Sequence, residues 1–339
     1  MEPRRVRGLG NAAGRLVSSL EPVALIVTVR NEASTVGPLI DSILAGTRVP
    51  DEIVVADGGS TDGTWDFLRA RASRDPRVRA VLAPGNRSVG RNAAVRASRA
   101  PVIACTDAGA TVEPEWLDRI TRPFDLEPAT DVVAGFYLPL AGTPFERAAG
   151  AVSAPSLRDV DPARFLPSTR SVAFRRAAWE RVGGFDEALA HNEDTPFALA
   201  LKRSGATFVF EPTARVRWRP RGDLRAFFRQ HRRFGFGDGE SRVQGSFYAR
   251  LASKYALAAL LLLGGFFVRA CWWMLILGAA LFTARQARRG TGLTLAERLF
   301  LVPFLKVVYD AAYLSGYVKG RLSPPARLLP DPGSPRASG

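Results

Sequence analysis

The 339-residue sequence is poor in metal- and redox-active side chains: it has two cysteines, Cys105 and Cys271, two histidines and two methionines. Two cysteines provide no disulfide framework, and they exclude a multi-cysteine zinc or iron–sulfur site. The first twenty residues lack an apolar run long enough for a signal-peptide core, so they read as a poorly ordered basic leader. Acid is scarce as well. Asp and Glu number 32 against 47 Lys and Arg, which leaves a net charge of +15. Such a balance suits a nucleic acid or a membrane surface. No recognised nucleic-acid-binding motif is present, which argues against the first. Hydrophobic residues make up 47% and charged residues 23%, a composition that can bury a core and is not that of a disordered chain.

The excess of base is concentrated. Residues 215–250 hold ten arginines against Asp223, Asp238 and Glu240. That block precedes an apolar run from Tyr255 to Thr283, interrupted only by Arg269. Basic residues beside a membrane segment are drawn to anionic headgroups. The run exceeds the roughly 20 residues of one span, and Gly264-Gly265 lies in its middle. Arg250 and Lys254 precede it, and Arg285, Arg288 and Arg289 follow it. Basic flanks belong on the cytoplasmic side. Both flanks therefore predict a hairpin or re-entrant loop bent near Gly264-Gly265, with Arg269 near its tip. Leu299–Val318 predicts an amphipathic helix lying in the interface, and the proline-rich end predicts a disordered tail. The organisation expected is a leader over 1–21, a catalytic domain over 22–245, a membrane-associated helical region over 246–322 and a tail over 323–339.

Upstream of the basic block the pattern alternates. Strand-length apolar runs occur at Val23–Val29, Ile53–Ala56, Val78–Leu82 and Val102–Thr106. Between them lie helical stretches at about Thr35–Leu44, Thr64–Ala72 and Val89–Ala97. Short continuous apolar strands alternating with helices predict an α/β domain with a mostly parallel sheet covered on both faces. Further on, strands are expected at Asp131–Tyr137, Thr169–Phe174 and Thr207–Phe210. Helices are expected at Arg175–Arg181, Glu193–Ser204 and Asp223–Phe234, the last with Asp223 as N-cap.

In a parallel sheet the ligand sits at the carboxyl ends of the strands. The loops there read Arg30-Asn31-Glu32, Asp57-Gly58-Gly59-Ser60-Thr61-Asp62-Gly63, Pro84-Gly85-Asn86-Arg87 and Asp107-Ala108-Gly109. Asp and Gly are common in any such turn. Four polar loops on one rim, two of them opening on an aspartate, favour a site.

With their surroundings these loops resemble the successive motifs of family 2 glycosyltransferases. The resemblance starts from Val27-Thr28-Val29-Arg30-Asn31-Glu32 and continues through Ala56–Thr64, Gly90-Arg91-Asn92 and Thr106–Gly109. It extends to Val182–Glu187, Asn192-Glu193-Asp194 and Gln230-His231-Arg232-Arg233-Phe234, the last similar to a QxxRW element with Phe for Trp. It covers about residues 22–240 and implies a GT-A fold, a nucleotide-diphosphate-sugar donor and inversion at the anomeric carbon. By resemblance, Thr28, Arg30, Glu32, Asp57, Arg91, Asp107 and Gln230 would bind the donor. Asp107 would also hold a divalent metal, Mg or Mn, although Gly109 stands where the second DxD aspartate belongs. Asp194 would be the general base, Glu193 would orient the acceptor or the base loop, and Arg233 would balance charge on the leaving diphosphate. Arg91 is expected at the start of a helix, where it and the helix N-terminus both face phosphate.

The partners implied are a nucleotide-sugar, a lipid-linked or glycan acceptor and membrane lipids, at the cytoplasmic membrane with the catalytic domain facing the cytoplasm. A processive polysaccharide synthase would need more spanning helices. A non-catalytic nucleotide-sugar-binding or scaffold protein with an eroded metal site is the alternative that Gly109 suggests, and the Glu193-Asp194 pair argues against it.

Overall fold

The computed structural model describes residues 20–323. The leader and tail expected at the two ends lie almost wholly outside these residues. Eight strands form one sheet: β1 Val23–Val29, β2 Glu52–Asp57, β3 Val78–Leu82, β4 Val102–Cys105, β5 Ala110–Val112, β6 Val132–Pro139, β7 Val172–Arg175 and β8 Phe208–Trp218. Their order is β3-β2-β1-β4-β7-β6-β8-β5. The four strands β3, β2, β1 and β4 pair in parallel, and so do β6 and β8. β4–β7, β6–β7 and β5–β8 pair antiparallel, so the sheet as a whole is mixed.

Seven helices flank the sheet: α1 Val36–Leu44, α2 Thr64–Ala72, α3 Arg87–Ala97, α4 Trp116–Leu126, α5 Pro144–Ser153, α6 Arg176–Arg181 and α7 Asp194–Arg203. The alternation of strand side chains decides which helix covers which face. Val23, Leu25, Val27 and Val29 of β1 point into one core with Val36, Leu39, Ile40 and Ile43 of α1 and Trp116, Ile120 and Phe124 of α4. Ala24 and Ile26 point into the other, with Ala94 and Val95 of α3 and Phe197 and Leu201 of α7. Helices α4 and α5 and strand β5 are additions to the elements expected from the sequence. β8 runs past its predicted end at Phe210 because a register shift opposite Ala134–Phe136 absorbs residues 211–214 and pairing then resumes at Arg215.

Four helices follow: α8 Leu224–Glu240, α9 Gly245–Gly264, α10 Arg269–Ala287 and α11 Val302–Leu322. Asp223 caps α8 by accepting from the Ala226 N–H at 2.8 Å. α9 and α10 form the hairpin, with the bend at residues 265–268 and Arg269 opening the second arm. α11 turns back and packs along α8, and its Val302 and Leu305 join a core with Ala148 and Ala149 of α5 and Phe227 of α8. Two helices, Gly245–Gly264 and Glu297–Leu322, are long and apolar enough to cross a membrane.

Candidate active site

The sheet order reverses between β1 and β4, and a crevice opens at their carboxyl ends. It leads into a cleft of about 1560 Å³. Thr28, Arg30 and Glu32 line one wall. The loop after β1 is stitched to the loop after β2. The Asn31 N–H donates to Ser60 Oγ (2.8 Å), Asn31 Oδ1 accepts from the Thr61 N–H (2.9 Å), and the Glu32 N–H donates to Thr64 Oγ1 (2.9 Å). Asp57 is fully buried just behind this wall. Its Oδ1 accepts from the N–H groups of Gly59 (2.9 Å) and Ser60 (2.8 Å) and so shapes the turn. Its Oδ2 is buried without a partner, a free acceptor beside the cleft.

Arg91 departs from its expected place. Asn86 caps α3 by accepting from the Val89 N–H at 3.1 Å, so the helix starts two residues early and Arg91 lies a turn inside it. Arg87 occupies the first position and lines the cleft. Arg91 is 2% exposed and joins three loops: it pairs with Glu193, donates to Asp107 Oδ1 (3.1 Å) and donates to Thr169 Oγ1 (2.8 Å). Burial opposes the charges, but the carboxylates hold Arg91 fully cationic. Burial also opposes ionisation of Asp107, and Arg91, Arg170 and Arg87 outweigh it, so its carboxyl stays below the usual range.

Glu193 precedes α7 and Asp194 opens it, where helix N-termini favour acids. Glu193 is 3% exposed, and its Oε2 has no partner. Asp194 Oδ2 accepts from Ser168 Oγ (3.2 Å) and the Thr169 N–H (3.4 Å). Burial, then the neighbouring Glu193 charge, pushes the Asp194 carboxyl above its ordinary value, against Arg91 and Arg170. A half-buried carboxylate with a raised pKa, facing a cleft, suits proton removal.

Gln230, Arg233 and Phe234 of α8 line the opposite wall with Arg219, Arg221 and Arg229. Arg221 Nε donates to Gln230 Oε1 at 3.2 Å. Among the described residues no carboxylate lies within 4.0 Å of these four arginines. Tyr309 and Tyr313 bring α11 into the same cleft. His231 is buried in an aromatic cluster against Tyr309, with burial lowering its pKa to about 4, and it serves packing.

Arg87 closes one of the four rim loops and opens α3. Three further contributors carried no readable signal in the sequence. Arg170 precedes the short strand β7, outside the motifs. Asp238 and Tyr248 act through a contact that spans three elements. Asn192, next to the acid pair, adopts φ 56°. Its Nδ2 donates to Asp238 Oδ1 at 2.6 Å, and Asp238 Oδ2 accepts from Tyr248 OH at 2.6 Å. A base loop, a cleft helix and the first hairpin helix are thus joined through one carboxylate.

The residues do not form a protein-built metal site. Among the described residues no three His, Cys, Asp or Glu side chains converge as ligands. Asp107 is the loop's one carboxylate, and both its oxygens face guanidinium groups.

Comparison with known proteins agrees with the fold and the motifs. Residues 24–185 match the sequence model of Glycosyl transferase family 2. The succinoglycan biosynthesis protein ExoA of Rhizobium meliloti is 26% identical over 229 residues, 64% of this chain and 68% of that protein. The uncharacterized glycosyltransferase EpsJ of Bacillus subtilis is 28% identical over 192 residues, 53% of this chain and 56% of the relative. Among solved structures, the mannosyltransferase PcManGT from Pyrobaculum calidifontis, in complex with GDP-Man and Mn²⁺, superposes with a TM-score of 0.61. That match covers 88% of each chain at 21% identity, which speaks to the fold and gives it as GT-A-like. Residues 24–185 thus form a family 2 glycosyltransferase region on a GT-A-like fold, and the relatives it resembles include a succinoglycan biosynthesis protein.

Proposed function

We propose that this protein transfers a sugar, with inversion, from a nucleotide-diphosphate-sugar to a hydroxyl of a glycan or lipid-linked acceptor. The work would be done at the cytoplasmic face of a membrane, in cell-envelope polysaccharide synthesis. The observation that carries the reading is Asp194: a half-buried carboxylate with a raised pKa in the same cleft as Asp107 and the arginines of α8. In this reading the acceptor oxygen attacks the anomeric carbon in line as Asp194 takes its proton. The new C–O bond forms as the bond to the diphosphate oxygen breaks, and that oxygen leaves with the electron pair. One displacement inverts the centre. Arg91 holds Glu193 and Asp107 in register, and Arg233 faces the charge that develops on the leaving group. The acid of Asp57 and the loop of Arg30 and Glu32 receive the nucleoside.

The neighbour PcManGT binds its donor with Mn²⁺. Here Asp107 is the loop's one carboxylate and both its oxygens face guanidinium groups, so the residues present do not fit Mg²⁺ or Mn²⁺, and no step of this reading passes through a metal. Support for the membrane comes from the two apolar helices and from the exposed apolar side chains of the hairpin. Support for the cytoplasmic face comes from the basic flanks on both arms of the hairpin.

The test uses purified full-length protein in detergent with UDP-, GDP- and dTDP-sugars and a membrane lipid extract. Asp194→Asn is expected to lower transfer by about 10²–10⁴-fold, the usual contribution of a general base. Nucleoside diphosphate affinity should stay unchanged. Full transfer by the variant overturns the assignment.

A further inference from the structure

Arg170 is an unusual arginine. Its guanidinium lies between two aromatic faces, 5.2 Å from the Tyr137 ring centroid and 5.0 Å from that of Trp218. Its Nε approaches Asp107 Oδ2 at 3.9 Å, and its backbone carbonyl accepts from Thr106 Oγ1 at 2.8 Å. Main chain and side chain therefore both tie it to the loop after β4. The side chain is 20% exposed and lines the cleft. Among the described residues its terminal nitrogens donate to no other group, so a two-pronged donor is left facing the open cleft. A planar guanidinium matches phosphate oxygens two at a time, and the aromatic clamp has already removed most of its rotamer freedom.

The loop it faces has lost a charge. Gly109 sits at φ 77°, and a Cβ built there meets nothing within 4 Å. The space into which a second loop acid would project is open, while Asp107 alone remains. A loop with one carboxylate, already paired to Arg91, binds a divalent ion poorly. It does not attract a diphosphate either. Arg170 supplies that attraction from the protein itself.

We infer that Arg170 is a diphosphate-binding catalytic residue of the donor site, and that this chain binds nucleoside diphosphates without a divalent metal. The inference rests on the nucleotide-sugar reading above. As the bond from the anomeric carbon to the diphosphate oxygen breaks, the oxygen takes the electron pair and Arg170 neutralises part of its new charge.

The test is calorimetric titration of the full-length protein in detergent with GDP and with UDP, in EDTA and in Mn²⁺. Thermal unfolding of each variant checks folding. Wild type is expected to bind at least one of the two with affinities in EDTA and Mn²⁺ that differ by less than about threefold. Arg170→Ala is expected to weaken binding in EDTA by about tenfold or more, the size of a lost charge-assisted fork. Arg170→Lys, which keeps the charge without the fork, should fall between them. In the Arg170→Ala background, Gly109→Asp should restore binding in Mn²⁺ only. The inference fails if wild type loses binding in EDTA, and equally if Arg170→Ala binds like wild type there. Absence of binding in every condition overturns the donor reading itself, so the two failures are distinct.

Discussion

Asp194 and Glu193 are neighbours in sequence with different tasks. Glu193 is spent on Arg91, whose buried charge has no other full counter-ion nearby than Asp107. Desolvation first, and then the repelling Glu193 charge, raise the pKa of Asp194, which has no cationic hydrogen-bond partner of its own. Ionised Asp194 is the form that accepts a proton. Transfer should therefore fall on acidification with an apparent pKa above the ordinary aspartate value of about 3.9. Glu193 raises that pKa, with Asp107 acting in the same sense, while Arg91 and Arg170 lower it. Glu193→Gln removes the largest repelling charge and releases Arg91. The acid limb of its rate profile should move to lower pH, as a pH–rate series on both proteins would record, and a shift to higher pH would remove Asp194 as the titrating group. Much of this site was legible. Acids placed at strand ends and before a helix keep their meaning without coordinates, and Asp107, Glu193 and Asp194 all reach the cleft. Arg170 was not legible, because its position depends on Tyr137, Trp218 and Thr106, which come from three separate parts of the chain.

The element that organises the site is α8, which runs through Gly235, Gly237 and Gly239. Gly235 and Gly239 meet the backbone of α11 at Tyr313 and Tyr317, and Gly316 and Gly320 of α11 answer them against Arg232 and Phe236. Gly237 faces the other way, onto the carbonyl of His191 in the base loop. Any Cβ at these positions falls inside contact distance of backbone, which cannot give way as a side chain can. Gly237→Ala should thus displace residues 191–194 and lower transfer at least tenfold, more than it weakens GDP or UDP binding, because it is the base loop that meets the new methyl group. Gly278→Ala on α10 is the control: its Cβ meets nothing within 4 Å, and alanine in a helix is favoured over glycine by roughly 0.5–1 kcal/mol. Kinetics and thermal unfolding of both variants would check this, and equal behaviour of the two would discard the role of Gly237. Periodicity exposes helices such as α1 and α3, and it located α8 as well. It does not expose a helix-to-helix contact made of missing side chains, whereas the apolar spacing of α4 and α5 is itself helical, with Pro123 interrupting α4 and small residues filling α5.

The whole molecule is asymmetric. Carboxylates gather in the cleft beneath the sheet rim, unpaired arginines line its far wall, and the hairpin carries bare apolar surface beyond them. Phe266 is 75% exposed, Phe267 89% and Trp273 72%. In water such a tip costs roughly 25 cal/mol per Å² of apolar surface left uncovered, and a bilayer removes that cost. Lys254 on α9 donates to the fully buried Asp310 on α11 at 2.7 Å, so the base of the hairpin is fastened to the helix that lines the cleft. From Lys254 to Gly264, α9 rises about 15 Å at 1.5 Å per residue, half of a hydrocarbon core of about 30 Å. On the proposed function, a tip inserted along the membrane normal would reach mid-bilayer and leave the cleft at headgroup level, where an acceptor carried on a lipid would present its hydroxyl. Two charges placed at the tip oppose insertion most, because they must sit deepest. Phe266→Asp with Phe267→Asp should release the protein from vesicles rich in anionic lipid, and calorimetric GDP or UDP binding should remain, since the tip lies outside the cleft. Co-sedimentation with vesicles, with and without anionic lipid, reads the outcome. Unchanged sedimentation of the double variant would mean that α11 or the arginine block, and not the hairpin tip, holds the protein to the membrane.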